Sequence, residues 1–305
     1  MGFFKRFFDS NTAAVVCLLF TMLLFGFSFM FSSIALNSSS TFSLLSWRFF
    51  TAFFFMTLLR VFGVIKIELK GLPISLLWIG LFHPVVYFVF ETLGISKTSV
   101  AESGIIISLV PVVSMILAAS FLKEHPTFLQ ILSVILAVLG TVIVTLGSGA
   151  SSLTFNKLGY LALFGAVFSG ALFFVVSRKV ANYSSATKSY VMMGMGCVIF
   201  TSIALVEHIL KGTVSNWLTL PFKNPVFLVA ILYLGLLASV LGSLALNYAV
   251  VRIGVHRTSA STAITSAVSI LAGVLILREP FTLKQCVGAV IILLGVTGVN
   301  QFSRK

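Results

Sequence analysis

The chain has 305 residues, of which 59% are hydrophobic and 9% charged, with a formal charge of +13. Its mean hydropathy is +1.14, and soluble domains carry roughly 25% charged residues, so this composition excludes a water-soluble globular protein. The basic excess falls in short segments between apolar runs, where it sets membrane topology and gives no ground for nucleic-acid binding.

In chain order, charges, prolines and Asn/Ser clusters divide the sequence into ten apolar segments. They lie near residues 12–35, 43–64, 73–95, 99–121, 127–147, 157–178, 186–207, 225–250, 256–277 and 281–300. A crossing needs about 20 apolar residues, and runs this long without alternation are expected as helices. The first run follows a basic start (Lys5, Arg6) and is too long for a cleaved signal, so it is expected to remain as an anchor. Cys17, Cys197 and Cys286 stand singly in apolar segments, which argues against disulfides and metal clusters. No phosphate-cradling Gly-Lys-Ser/Thr loop and no His-Glu-x-x-His motif occurs, so neither a nucleotide motor nor any cofactor is expected.

Two stretches repeat each other 155 residues apart. Leu122-Lys-Glu-His-Pro-Thr-Phe-Leu-Gln130 aligns with Leu277-Arg-Glu-Pro-Phe-Thr-Leu-Lys-Gln285. The same offset pairs Gly140 with Gly295 and Val113-Ser114 with Val268-Ser269. This is the mark of a duplicated chain, with halves at 1–148 and 149–305. Each half holds five helices, an odd number, so the second enters the membrane from the opposite side. The expected architecture is an all-α membrane protein of ten transmembrane helices, arranged as two inverted five-helix repeats around a central cavity. With a cytoplasmic N-terminus, thirteen Lys and Arg residues fall inside and six outside, Arg48 being left within a span. Both termini are therefore expected in the cytoplasm.

Arg48, the segment from Gly94 to Pro111 and the two Glu-x-x-Thr-x-x-Gln blocks resemble the drug/metabolite transporter superfamily, and its EamA-type exporters in particular. The resemblance spans the whole chain. It implies a bacterial inner-membrane protein that exports small metabolites, amino acids, drugs or other toxic compounds through a central cavity. A single chain is expected to suffice, with membrane lipid around it and protons as a candidate coupling ion.

Candidate residues follow from the cost of polar groups in the apolar layer. Arg48 lies about 8 Å into the second span, at 1.5 Å per residue, where a charge costs some 2.5 kcal/mol or more unless it meets a partner or a wet cavity. Glu91 and Glu102 are expected at a similar depth, which leaves two readings: a substrate or gating site in the outer half, or a structural ion pair. Proton coupling, if present, is expected through one of these two carboxylates. His83, Tyr87 and Glu91 recur every four residues and so share one helical face. That stripe is expected to line the cavity, although His83 alone could simply be satisfied by a carbonyl that Pro84 frees. Pro111, Ser243 and Asn247 are further cavity candidates. The small-residue ladders around them (Gly235, Ser239, Ser243; Ser266, Ser269, Gly273) also suit close helix packing. Glu124 and Glu279, each three residues before Thr127 and Thr282, are expected to cap helix starts and clamp hairpins. A competing reading is a membrane-embedded enzyme acting on lipid, with Arg48, His83, Glu91 and Glu102 as its polar site.

Overall fold

The computed structural model describes residues 11–68, 74–122, 126–148, 156–177, 183–253, 258 and 261–301, and all regular structure among them is helical. The long helices are α1 (Asn11–Leu36), α2 (Thr41–Val61), α3 (Ile74–Ile95), α4 (Val100–Phe121), α5 (Phe128–Ser148), α6 (Lys157–Ser177) and α7 (Ser185–Leu210). They are followed by a short α8 (Val214–Lys223), then α9 (Pro225–Arg252), α10 (Thr262–Leu271, continuing through Ala272–Ile276) and α11 (Leu283–Gln301). Seven of them (α1 to α4, α6, α7 and α9) are long and apolar enough to cross a membrane, and shorter apolar stretches lie in α5, α10 and α11. Helix α8 falls in a stretch without an expected span. Its start is held down by indole hydrogen bonds: Trp47 Nε1 donates to Trp217 O (3.1 Å) and Trp217 Nε1 donates to Ser46 Oγ (3.0 Å).

Four helices depart from α geometry, α10 among them through a π-helical stretch over Ala272–Ile276. In α4, Pro111 has no N–H to give the carbonyl of Ile107, and the helix breaks after Ile107 and resumes at Val110. In α3, Pro84 does the same within a wide π-helical turn over Leu81–Val86, where His83 takes an extended backbone (φ −142°, ψ 107°). Within that turn the carbonyl of Phe82 accepts both the Tyr87 N–H and the hydroxyl of Ser169 from α6, the latter at 2.7 Å. Helix α9 widens to π geometry over Tyr233–Gly242. Such widened turns leave backbone groups misaligned and recur at functional sites.

The most extensive helix pair is α5 with α11, the two that carry Gly140 and Gly295. Along it Val144 meets Gly288, Gly140 meets Ile292 and Ala137 meets Gly295, so one chain rises as the other falls and the pair is antiparallel. The 155-residue offset maps the Gly140–Ile292 contact onto Gly295–Ala137, the same contact made twice. A Cβ at Gly140 would stand 2.8 Å from Gly288 O, and one at Gly295 would stand 2.6 Å from Ala137 N. Only glycine lets the backbones approach this closely.

The helix starts repeat the symmetry. Thr127 and Gln130 cap α5 reciprocally (Thr127 N–H to Gln130 Oε1, 2.8 Å; Gln130 N–H to Thr127 Oγ1, 3.3 Å). Thr282 and Gln285 cap α11 in the same way, at 2.8 and 3.2 Å.

Because backbone sits against Gly140 and cannot yield, Gly140→Ala is expected to destabilise the fold by about 1–3 kcal/mol. Thermal unfolding of the purified variant in detergent checks this; a midpoint equal to the parent's would mean the helices separate at no cost.

Candidate substrate cavity

Between α1, α2, α3, α4, α6, α9 and α10 lies a cavity that is partly open to solvent. Its wall is mostly apolar and aromatic, with polar groups from Ser28, Arg48, His83, Tyr87, Glu91 and Thr265. A few polar groups in an apolar wall is the usual make-up of a small-molecule site.

Arg48 is 2% exposed. Its Nε–H donates to Ser239 Oγ (3.0 Å), which the π-helical stretch of α9 presents, and its guanidinium lies over the Phe88 ring, 4.1 Å from the centroid. Ser239 supplies dipole and Phe88 supplies ring quadrupole, but neither supplies a negative charge. Among the described residues no carboxylate lies within the 4.0 Å of an ion pair with Arg48.

Glu91 is 3% exposed and lines the same cavity. Tyr87 O–H donates to its Oε1 at 3.2 Å, one helical turn away, while its Oε2 is buried without a hydrogen-bond partner. His83 packs among Tyr87, Phe88 and Phe173 at 4.7 to 5.0 Å, and its Nδ1 also lacks a partner.

The remaining candidates sit elsewhere. Glu102 is not in the cavity wall: it forms a capping box with Ser99 at the start of α4 and accepts Gln285 Nε2–H at 2.8 Å. Equal depth with Arg48 does not bring it near Arg48, because its side chain points to a different helix. The Ser99-x-x-Glu102 spacing is itself the capping signal. Pro111 breaks α4 and leaves Ile107 and Val110, rather than itself, on the wall. Asn247 links α9 to α7 through Ser189 Oγ (2.9 Å), and Ser243 is buried outside the wall.

Glu124 lies outside the described residues. Glu279 caps a helix, but not its own: its carboxylate accepts the N–H groups of Val100 (2.7 Å) and Ala101 (3.0 Å) at the start of α4. Gly273 leaves the space, since a Cβ there would meet that carboxylate. The anion sits on the positive end of the α4 dipole and ties residues of the two halves together.

Phe25, Phe29, Phe88, Phe173, Phe174 and Thr265 also line the cavity. In a chain with 31 Phe, no local signal separates a cavity phenylalanine from a lipid-facing one.

The EamA-like transporter family matches this chain over residues 12–146 and again over residues 157–301. The chain belongs to that family. It is similar to the uncharacterized transporter YcxC of Bacillus subtilis, 34% identical over 95% of this chain and 93% of the relative. It also resembles a probable terminal-alkyne amino-acid exporter of Streptantibioticus cattleyicolor, at 28% identity over 72% of this chain and 69% of that one. A solved crystal structure shares the fold at a TM-score of 0.67 and 17% identity, covering 96% of this chain and all of the other. Family membership and the apolar helices make this an integral membrane protein of the EamA type within the drug/metabolite transporter superfamily. Its family and these relatives are transporters, and membership of that family implies a small-molecule substrate.

Proposed function

We propose that this EamA protein exports small metabolites, amino acids or related amphipathic compounds, across the bacterial inner membrane by alternating access. The observation that carries the reading is the cavity around Arg48, a guanidinium with aromatic and hydroxyl neighbours and, among the described residues, no carboxylate in contact. A planar guanidinium suits a carboxylate through two parallel hydrogen bonds, and its burial becomes favourable when such a group arrives. The similarity to a probable amino-acid exporter points the same way.

The proposed architecture is ten transmembrane helices in two inverted five-helix repeats, with both termini cytoplasmic. It is supported by the double family match, the antiparallel α5–α11 pair and the contact made twice across it. Coupling is assigned to protons through Glu91, the carboxylate that shares the cavity with Arg48.

Arg48→Gln is expected to remain inserted and monodisperse in detergent while losing most transport in proteoliposomes. Normal flux, or aggregation on purification, would instead favour a purely structural arginine. For topology, cysteines placed at Ser151 and Ser303 should label from opposite sides of intact cells; labelling from one side would defeat the inverted arrangement. Finally, an imposed pH gradient should accelerate flux by the parent and leave flux by Glu91→Gln unaccelerated. An equal response in both would remove protons acting through Glu91.

A further inference from the structure

The two charged groups of the cavity each have an unfilled valence, and they carry opposite signs. With Nε held by Ser239, the free edge of the Arg48 guanidinium is the pair of terminal amino groups, which make no hydrogen bond among the described residues. With Oε1 held by the Tyr87 hydroxyl, the free atom of Glu91 is Oε2, buried and unpartnered. Arg48 and Glu91 lie on different helices, line one cavity and do not touch each other.

A ligand of one sign fits this site badly. An anion at Arg48 would leave Glu91 Oε2 unsatisfied and bring a second negative charge toward it. A cation at Glu91 would do the converse to Arg48. In a wall of low polarity, with little water to screen them, such like-charge contacts are costly. A zwitterion satisfies both groups and adds no net charge.

We propose that the cavity selects zwitterions, Arg48 taking the carboxylate and Glu91 the ammonium of an α-amino acid with an apolar side chain. The proposal rests on the transport reading of this cavity and adds its specificity. Tyr87 acts as a positioning residue: its hydroxyl fixes which carboxylate oxygen of Glu91 is left for the ammonium. The side chain of the ligand is received by Phe25, Phe29, Phe173 and Phe174, which carry no group for a polar one to bond.

The test is binding, measured apart from transport. Isothermal titration of the purified full chain in a maltoside detergent compares L-leucine with its two halves: 4-methylpentanoate, which lacks the ammonium, and 3-methylbutan-1-amine, which lacks the carboxylate. L-leucine should bind at least about ten-fold more tightly than either half, because each half leaves one buried charge unpaired. In Glu91→Gln the order of the first two should invert, with 4-methylpentanoate binding at least as tightly as L-leucine. In Arg48→Gln the amine should become the better ligand.

The proposal is overturned if the parent binds 4-methylpentanoate as tightly as L-leucine, if it prefers the amine, or if it binds none of the three. It is equally overturned if Glu91→Gln keeps the parent's order. The parent's own ranking needs no variant, so it decides the matter should the substitutions fail to fold. Proteoliposome flux over a broader panel of metabolites judges transport separately, and flux of other compounds without L-leucine binding would retain the transporter and discard the zwitterion.

Discussion

An arginine inside an apolar bundle must be solvated by something, and what solvates Arg48 shapes the elements around it. Desolvating a charge in this layer costs several kcal/mol, and the protein returns only part of that through Ser239 Oγ and the face of Phe88. Placing Ser239 within reach coincides with the π-helical stretch of α9, and placing Phe88 with the segment of α3 that follows its break. The departure in α9 therefore contains the residue that bonds the guanidinium, and the one in α3 ends two residues before the ring that faces it. A direct ion pair would have met the electrostatic demand more completely, but it would have left the cavity with no charge to offer a ligand.

The same segments show how irregular backbone is tolerated at membrane depth. Pro84 and Pro111 each remove a donor from their helix, and non-helical backbone in such a layer persists only where protein or a wet cavity satisfies the freed groups. In α3 the widened turn is tied to α6 by Ser169, whose hydroxyl bonds the Phe82 carbonyl. In α4 the break falls between Ile107 and Val110, two residues of the cavity wall. The breaks in α3 and α4 lie at the cavity wall, while α5 and α11, which border no part of it, are regular and packed through glycine.

How much of this was legible depended on whether a residue's chemistry was rare in its surroundings. Arg48 stood out as the single basic residue well inside a span, and the four-residue stripe of His83, Tyr87 and Glu91 lies in the wall of the same cavity. Glu102 was misplaced because depth along a helix says nothing about azimuth, and azimuth decides whether a carboxylate meets a cavity or a neighbouring helix. Ser239 lay within a small-residue ladder whose ordinary meaning is packing, and nothing in that ladder distinguishes the one hydroxyl that meets a guanidinium. The cavity phenylalanines were hidden among residues identical to them. Hydropathy placed the long helices well because their apolar runs are continuous. It missed α8, a short amphipathic helix held by two tryptophans rather than by apolar length.

Glu279 joins these features to the repeat. Its position beside a basic residue at a span junction suggests a local cap, and local caps do exist there, made by Thr282 and Gln285. With the start of α11 already satisfied, the Glu279 carboxylate is free to reach across and close the start of α4. Gln285 does likewise, its backbone N–H serving the local cap and its side-chain amide reaching Glu102 of α4. One short motif thus caps its own helix with some atoms and ties down the opposite half with others. Every one of these contacts is polar and directional, so it fixes orientation more strictly than apolar packing, which tolerates sliding. They sit at the start of α4, the helix that further along contributes Ile107 and Val110 to the cavity. The position of that wall relative to the second half is therefore set by hydrogen bonds to residues at the junction of α10 and α11, and a motion that opened the cavity at this wall would have to carry the junction with it or break the two backbone bonds that Glu279 accepts.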